Sequence, residues 1–160
     1  MMMAYSGKGL YVKRTLALIL VALISTANIV SLVLVTMTLF GAGDLRLEGS
    51  ELLLSAASIY FTNILIFGLW YWEMDFEGGV NPKDFLFAQM NAPEHTGLHK
   101  RGWDPTFFDY LYISITNATA FSPTDTLPLT HRAKFLMSLQ SFISLVIVVL
   151  VTARAVNIIG

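Results

Sequence analysis

Residues 15–43 read TLALILVALISTANIVSLVLVTMTLFGAG, and no charged residue interrupts them. A helix that crosses about 30 Å of hydrocarbon needs roughly 20 apolar residues, so this run is long enough to span a bilayer. Two more uncharged stretches follow, from Leu52 to Trp72 and from Phe135 to Ala153. In lipid every backbone polar group must be bonded within its own segment, which makes each stretch a helix. All five prolines, Pro82, Pro93, Pro105, Pro123 and Pro128, fall between the second and third stretches, so none interrupts a span. Spans are expected at about 15–40, 52–72 and 133–156.

Composition agrees. Of 160 residues, 55% are hydrophobic and 13% are charged, against about 25% charged in an ordinary soluble domain. Mean hydropathy is +0.64. Too little charge remains to clothe a soluble enzyme or a disordered tail. Ten Lys and Arg against 11 Asp and Glu leave no overall basic surface for nucleic acid. Cysteine is absent, which removes disulfides, thiolate metal sites and cysteine nucleophiles. The chain reads as one membrane domain over 1–160.

The first span follows Lys8, Lys13 and Arg14, as a signal peptide would. Its apolar run exceeds the roughly 7–15 residues of a signal core, and no small-residue cleavage site closes it. A retained helix is expected. Gly41-Ala42-Gly43-Asp44 then breaks the chain, so the first two spans form an antiparallel hairpin. Trp70, Tyr71 and Trp72 stand where the second span meets the headgroups.

The loop over 73–105 holds Glu73, Asp75, Glu77, Gly78-Gly79 and the mildly amphipathic Asp84-Phe85-Leu86-Phe87-Ala88-Gln89-Met90. A long irregular loop in a compact protein usually has a task. His95 and His99 are four apart, but Pro93 and Gly97 argue for a loop rather than a zinc-holding helix face. No metal site and no cofactor is expected. No phosphate loop, nucleophile triad or haem motif is present, so the chain does not read as an enzyme.

Residues 107–121, FFDYLYISITNATAF, are too short and too polar for a comfortable span, with Asp109 near the start and Asn117 inside. Trp103-Asp104-Pro105 supplies a helix-start signal, a capping residue followed by proline at the first position. Ser122-Pro123-Thr124-Asp125 supplies the stop. A half-helix at about 106–121, followed by a polar strip at 119–130 and then a span, reads as re-entrant. An amphipathic helix in the interface and a short fourth span are the alternatives.

The order of span, acidic aromatic loop, short helix, Thr-rich strip, Asp-x-x-Pro and span resembles the pore module of potassium channels. Phe108-Asp109-Tyr110-Leu111-Tyr112-Ile113-Ser114-Ile115-Thr116 is similar to the pore-helix side. Thr119-Ala120-Phe121-Ser122-Pro123-Thr124-Asp125-Thr126-Leu127-Pro128 stands where that family reads T-T-V-G-Y-G-D-x-x-P. The Gly-Tyr-Gly core, which lets backbone carbonyls face the ion, is missing, so potassium selectivity does not carry over. The strip TNATAFSPTDTLPLT and the ending ARAVN also resemble bacterial integral membrane proteins without an assigned activity.

The resemblance implies an all-α membrane protein of three spans plus a pore-type half-helix, in a bacterial cytoplasmic membrane. It implies an ion-channel-like function, a weakly selective cation pore, built as a homotetramer because one copy of three helices encloses no path. Thr116, Asn117, Thr119, Phe121, Ser122, Thr124 and Asp125 would form the filter strip, unless they cap the half-helix and satisfy its freed backbone. Asp125 would set cation preference, or it caps the turn before Pro128. Ser138, Gln140, Ser141 and Ser144 on the last span would line the pore or serve as interhelical glue. A non-conducting accessory subunit of a larger membrane complex is the alternative. In either case the partner is membrane lipid and not nucleic acid.

Two arguments on orientation oppose each other. Lys8, Lys13, Arg14, Lys83, Lys100, Arg101, Arg132 and Lys134 share one side, against Arg46 and Arg154 on the other. That asymmetry places the long loop in the cytoplasm. A potassium-type pore loop enters from outside.

Overall fold

The computed structural model describes residues 7–40, 49–75, 84–91, 103–119 and 125–159. The elements are α1 (Gly7–Leu39), α2 (Gly49–Asp75), β1 (Phe85–Phe87), a 3-10 turn (Ala88–Asn91), α3 (Phe107–Ala118), β2 (Thr126–Pro128) and α4 (His131–Ile159). Among the described residues three helices are long and apolar enough to cross a membrane, within Val12–Leu39, Ser50–Asp75 and His131–Ala153. The chain is an all-α integral membrane protein with a two-stranded ribbon at one end. Each expected span is present, extended by a turn or less at most ends.

The three long helices alternate in direction. Arg14 at the start of α1 donates to the Glu73 carbonyl near the end of α2 at 3.1 Å, and Trp70 Nε1 donates to Ser25 Oγ at 2.9 Å. Asn63 Nδ2 donates to Ser144 Oγ at 3.1 Å and Tyr71 OH to Gln140 Oε1 at 2.5 Å. So α1 and α4 both run opposite to α2. The start of α1, the end of α2 and the start of α4 lie at one end, together with the ribbon.

Within the mildly amphipathic stretch after Asp84, Phe85–Phe87 form a strand, which the reading as loop did not anticipate. It pairs antiparallel with β2, in the register Phe85 with Pro128, Leu86 with Leu127 and Phe87 with Thr126. Side chains alternate across a strand, and here Phe85 and Phe87 are buried. They join Phe67, Tyr71, Tyr110, Ile113 and Ala133 in the core cluster. Its rings meet edge to face: Tyr71–Phe85 at 5.4 Å and Phe87–Tyr110 at 5.4 Å between centroids. Such pairs stabilise beyond their area burial by about 0.5–1.5 kcal/mol each.

The half-helix starts later than the Asp104-Pro105 signal predicts. Its N-cap is Thr106 and its first residue Phe107. Asp109 Oδ2 accepts from the Thr106 N–H at 2.7 Å and from the Thr106 hydroxyl at 2.8 Å. That carboxylate satisfies a donor that a helix start leaves over, which moves the boundary past Pro105.

Candidate functional site

α3 descends beside α2 in the opposite direction. Phe107 meets Trp72 edge to face at 5.6 Å, and Ser114 Oγ donates to the Ile64 carbonyl at 2.7 Å. Between them the helices nearly touch, because Gly68 has no side chain: a Cβ there would sit 3.3 Å from the Leu111 Cα. Small residues permit this close approach in membrane helix pairs. Twelve helical residues at 1.5 Å each reach about 18 Å along α2. At Thr126–Pro128 the chain is back beside Phe85–Phe87.

A buried polar network locks α3 in place. Asn117 Nδ2 donates to Gln140 Oε1 at 2.9 Å, to the Met137 carbonyl at 2.8 Å and to Tyr71 OH at 3.4 Å. Asn117 Oδ1 accepts from Ser141 Oγ at 3.0 Å. Gln140 Nε2 donates to Ser114 Oγ at 2.6 Å and to its carbonyl at 3.0 Å. Gln140, Ser114 and Ser144 are fully or almost fully buried. A buried amide without partners is costly; here both amides have their hydrogen bonds inside one chain.

A second cluster closes the ribbon end. Asp84 is wholly buried, and its carboxylate takes both arms of the Arg132 guanidinium, Nε on Oδ1 at 2.7 Å and Nη2 on Oδ2 at 2.6 Å. Thr130 Oγ1 also donates to Oδ1. The Asp84 N–H donates to Asp75 Oδ1 at 2.6 Å, and its carbonyl accepts from the Leu129 N–H at 2.8 Å. Asp75 Oδ2 accepts from Tyr110 OH at 2.7 Å. Burial holds the Tyr110 phenol well above the usual tyrosine range, and the Asp75 carboxylate that it faces adds to the rise. Tyr110 is therefore a constant donor. One residue, Asp84, joins α2, the strand pair and α4, with α3 tied in through Asp75.

The predicted strip residues have separate fates. Asn117 is buried against α4. Thr116 is half-buried, and its hydroxyl donates to the Tyr112 carbonyl at 2.9 Å. Thr119 is exposed, and its hydroxyl donates to the Ile115 carbonyl at 2.9 Å. Asp125 is exposed just before β2. Phe121, Ser122 and Thr124 lie outside the described residues, as do His95 and His99. On α4, Gln140, Ser141 and Ser144 face α2 and α3, whereas Ser138 is exposed and bonds back to the Lys134 carbonyl at 2.8 Å. Sequence reasoning missed Asp75, Asp84, Tyr110, Thr130 and Arg132 as a set; the signal available was a pair of carboxylates beside an otherwise aromatic segment. Among the described residues no three His, Asp or Glu side chains gather to hold a metal. No family model matches the chain, and no curated protein and no solved structure matches it.

Proposed function

We propose that this chain is the subunit of a pore-loop membrane assembly that conducts cations with weak selectivity. The observation that carries this reading is the path of the chain at α3, which runs about 18 Å along α2 and is followed by a return to Asp84 at the end it left. Non-helical backbone at membrane depth is tolerated where it is covered by protein or lines water, and a ring of copies supplies both. The half-helix is then re-entrant, and a homotetramer in a bacterial cytoplasmic membrane follows from the pore-module resemblance. Because Asn117, Gln140 and Ser144 are spent on packing within the subunit, the lining falls to the strip from Thr119 to Asp125. Exposed Asp125 gives a ring of carboxylates that favours cations.

Reconstitution of the full-length protein in planar bilayers tests this. Cation-over-anion current is expected, and Asp125→Asn is expected to lower the preference. A preference unchanged in Asp125→Asn removes the carboxylate ring. A ring-shaped preparation that passes no current favours the second reading, a non-conducting subunit of a larger complex. One observation favours that reading: the buried polar groups of α3 and α4 are satisfied within one chain, which leaves mainly apolar outer faces for packing. Such a subunit co-purifies with other chains in fixed stoichiometry and shows no ring.

A further inference from the structure

The β1–β2 ribbon has two unlike faces. Phe85, Phe87 and Thr126 turn into the core, at 0%, 2% and 3% exposed. Leu127, across from Leu86 on the opposite face, is 57% exposed, and Leu129 just beyond is 52% exposed. A strand that meets water on one face alternates apolar with polar residues. This one presents leucine instead.

The height of the ribbon is bounded from both sides. Phe87 meets Trp103 at 5.6 Å, and Phe85 meets Tyr71 at 5.4 Å, one residue before the Trp72 that packs on Phe107. Tryptophan and tyrosine at a span's end mark the headgroup level, so the ribbon stands at that level. It cannot lie deeper in lipid, because a two-stranded ribbon leaves the outer edge of each strand without a ladder partner, and hydrocarbon cannot satisfy such an edge. From Leu129 the chain passes through Thr130 directly into α4, where Phe135 is 68% and Phe142 65% exposed on a helix apolar enough to span. The ribbon's leucines continue the lipid-facing surface of that span toward the headgroups.

We propose that the outer face of the ribbon, Leu127 with Leu129, is seated in the membrane interface against lipid acyl chains near the glycerol level. The seat does not depend on conduction and holds equally for a non-conducting subunit. Its occupant is lipid, since the depth limits are those of an interfacial amphipathic element, which buries its apolar side about 5–10 Å into the headgroup boundary.

The chain has no cysteine, so one introduced cysteine carries one nitroxide label. Labels at Leu127→Cys and Leu129→Cys, in full-length protein in phosphatidylcholine–phosphatidylglycerol vesicles, are compared for collisions with oxygen and with a water-soluble nickel chelate. Phe142→Cys on the span and exposed Asp104→Cys serve as lipid and water references. Oxygen collisions are expected to exceed nickel collisions at 127 and 129, as at 142 and opposite to 104. Ratios like that at 104 put the face in water and overturn the proposal. Shielding from both reagents, with dipolar broadening that vanishes on dilution with unlabelled protein, puts a second copy on the face. That outcome overturns the lipid seat while leaving a ring intact, so its failure is separate from that of the pore reading.

Discussion

Asp84 is a buried anion whose cost is offset by one fork of Arg132 and by the Thr130 hydroxyl, while its backbone N–H and carbonyl are bonded to Asp75 and Leu129. The two partners are unequal: the Arg132 side chain is 48% exposed and the Asp84 side chain 0%. Arg132→Met strands a charge that water cannot reach, and breaking a buried pair in this way costs about 3–5 kcal/mol. Asp84→Asn leaves the guanidinium partly hydrated and keeps an acceptor for Thr130, so it should cost only about 1–2 kcal/mol. Unfolding in mixed detergent micelles measures both; equal losses would contradict the asymmetry. This residue was not legible in the sequence. Its partner Thr130 lies 46 positions away and Arg132 lies 48 away, no periodicity links them, and an aspartate in a loop looks like any other. Asn117 and Gln140 could be singled out, because amides are rare in apolar runs. Which face they turned to could not be read, since it depends on where α3 docks.

Helices were legible because lipid admits few alternatives, and the length of an uncharged run is a strong signal. Strands of three residues carry none, and β1 and β2 exist only because Phe85 and Phe87 find Tyr71, Tyr110 and Trp103. The contact between α2 and α3 depends on Gly68. Alanine there meets Leu111 at 3.3 Å, a few tenths of an ångström tighter than comfortable, and a small shift of the helix accommodates it. Leucine has no such room. The distance between nitroxide labels at exposed Leu65→Cys on α2 and Tyr112→Cys on α3, read by dipolar coupling, should be the same in the parent and in Gly68→Ala. It should lengthen in Gly68→Leu. An unchanged distance in Gly68→Leu would show that the glycine does not set the approach of α3.

Across the whole molecule, the hydrogen bonds of α3 point to parts of the chain made at different times. Ser114 donates upstream, to α2, whereas Asn117 finds its shorter hydrogen bonds downstream, at Met137, Gln140 and Ser141. An unpaired amide in hydrocarbon costs several kcal/mol, so α3 has reason to stay near water while the ribosome is still making α4. A chain stopped at Arg132 should therefore leave Ala118→Cys, which keeps Asn117 and is buried in the complete fold, reactive to a membrane-impermeant maleimide, and the complete chain should protect it; equal protection in both would rule out the delay. The hairpin of α1 and α2 holds Trp70 on Ser25 within itself and waits on α4 at Asn63 and Tyr71, which meet Ser144 and Gln140. If α3 is re-entrant as proposed, synthesis divides into an early insertion, which lipid drives, and a late one, in which the final helix carries in the half-helix made before it.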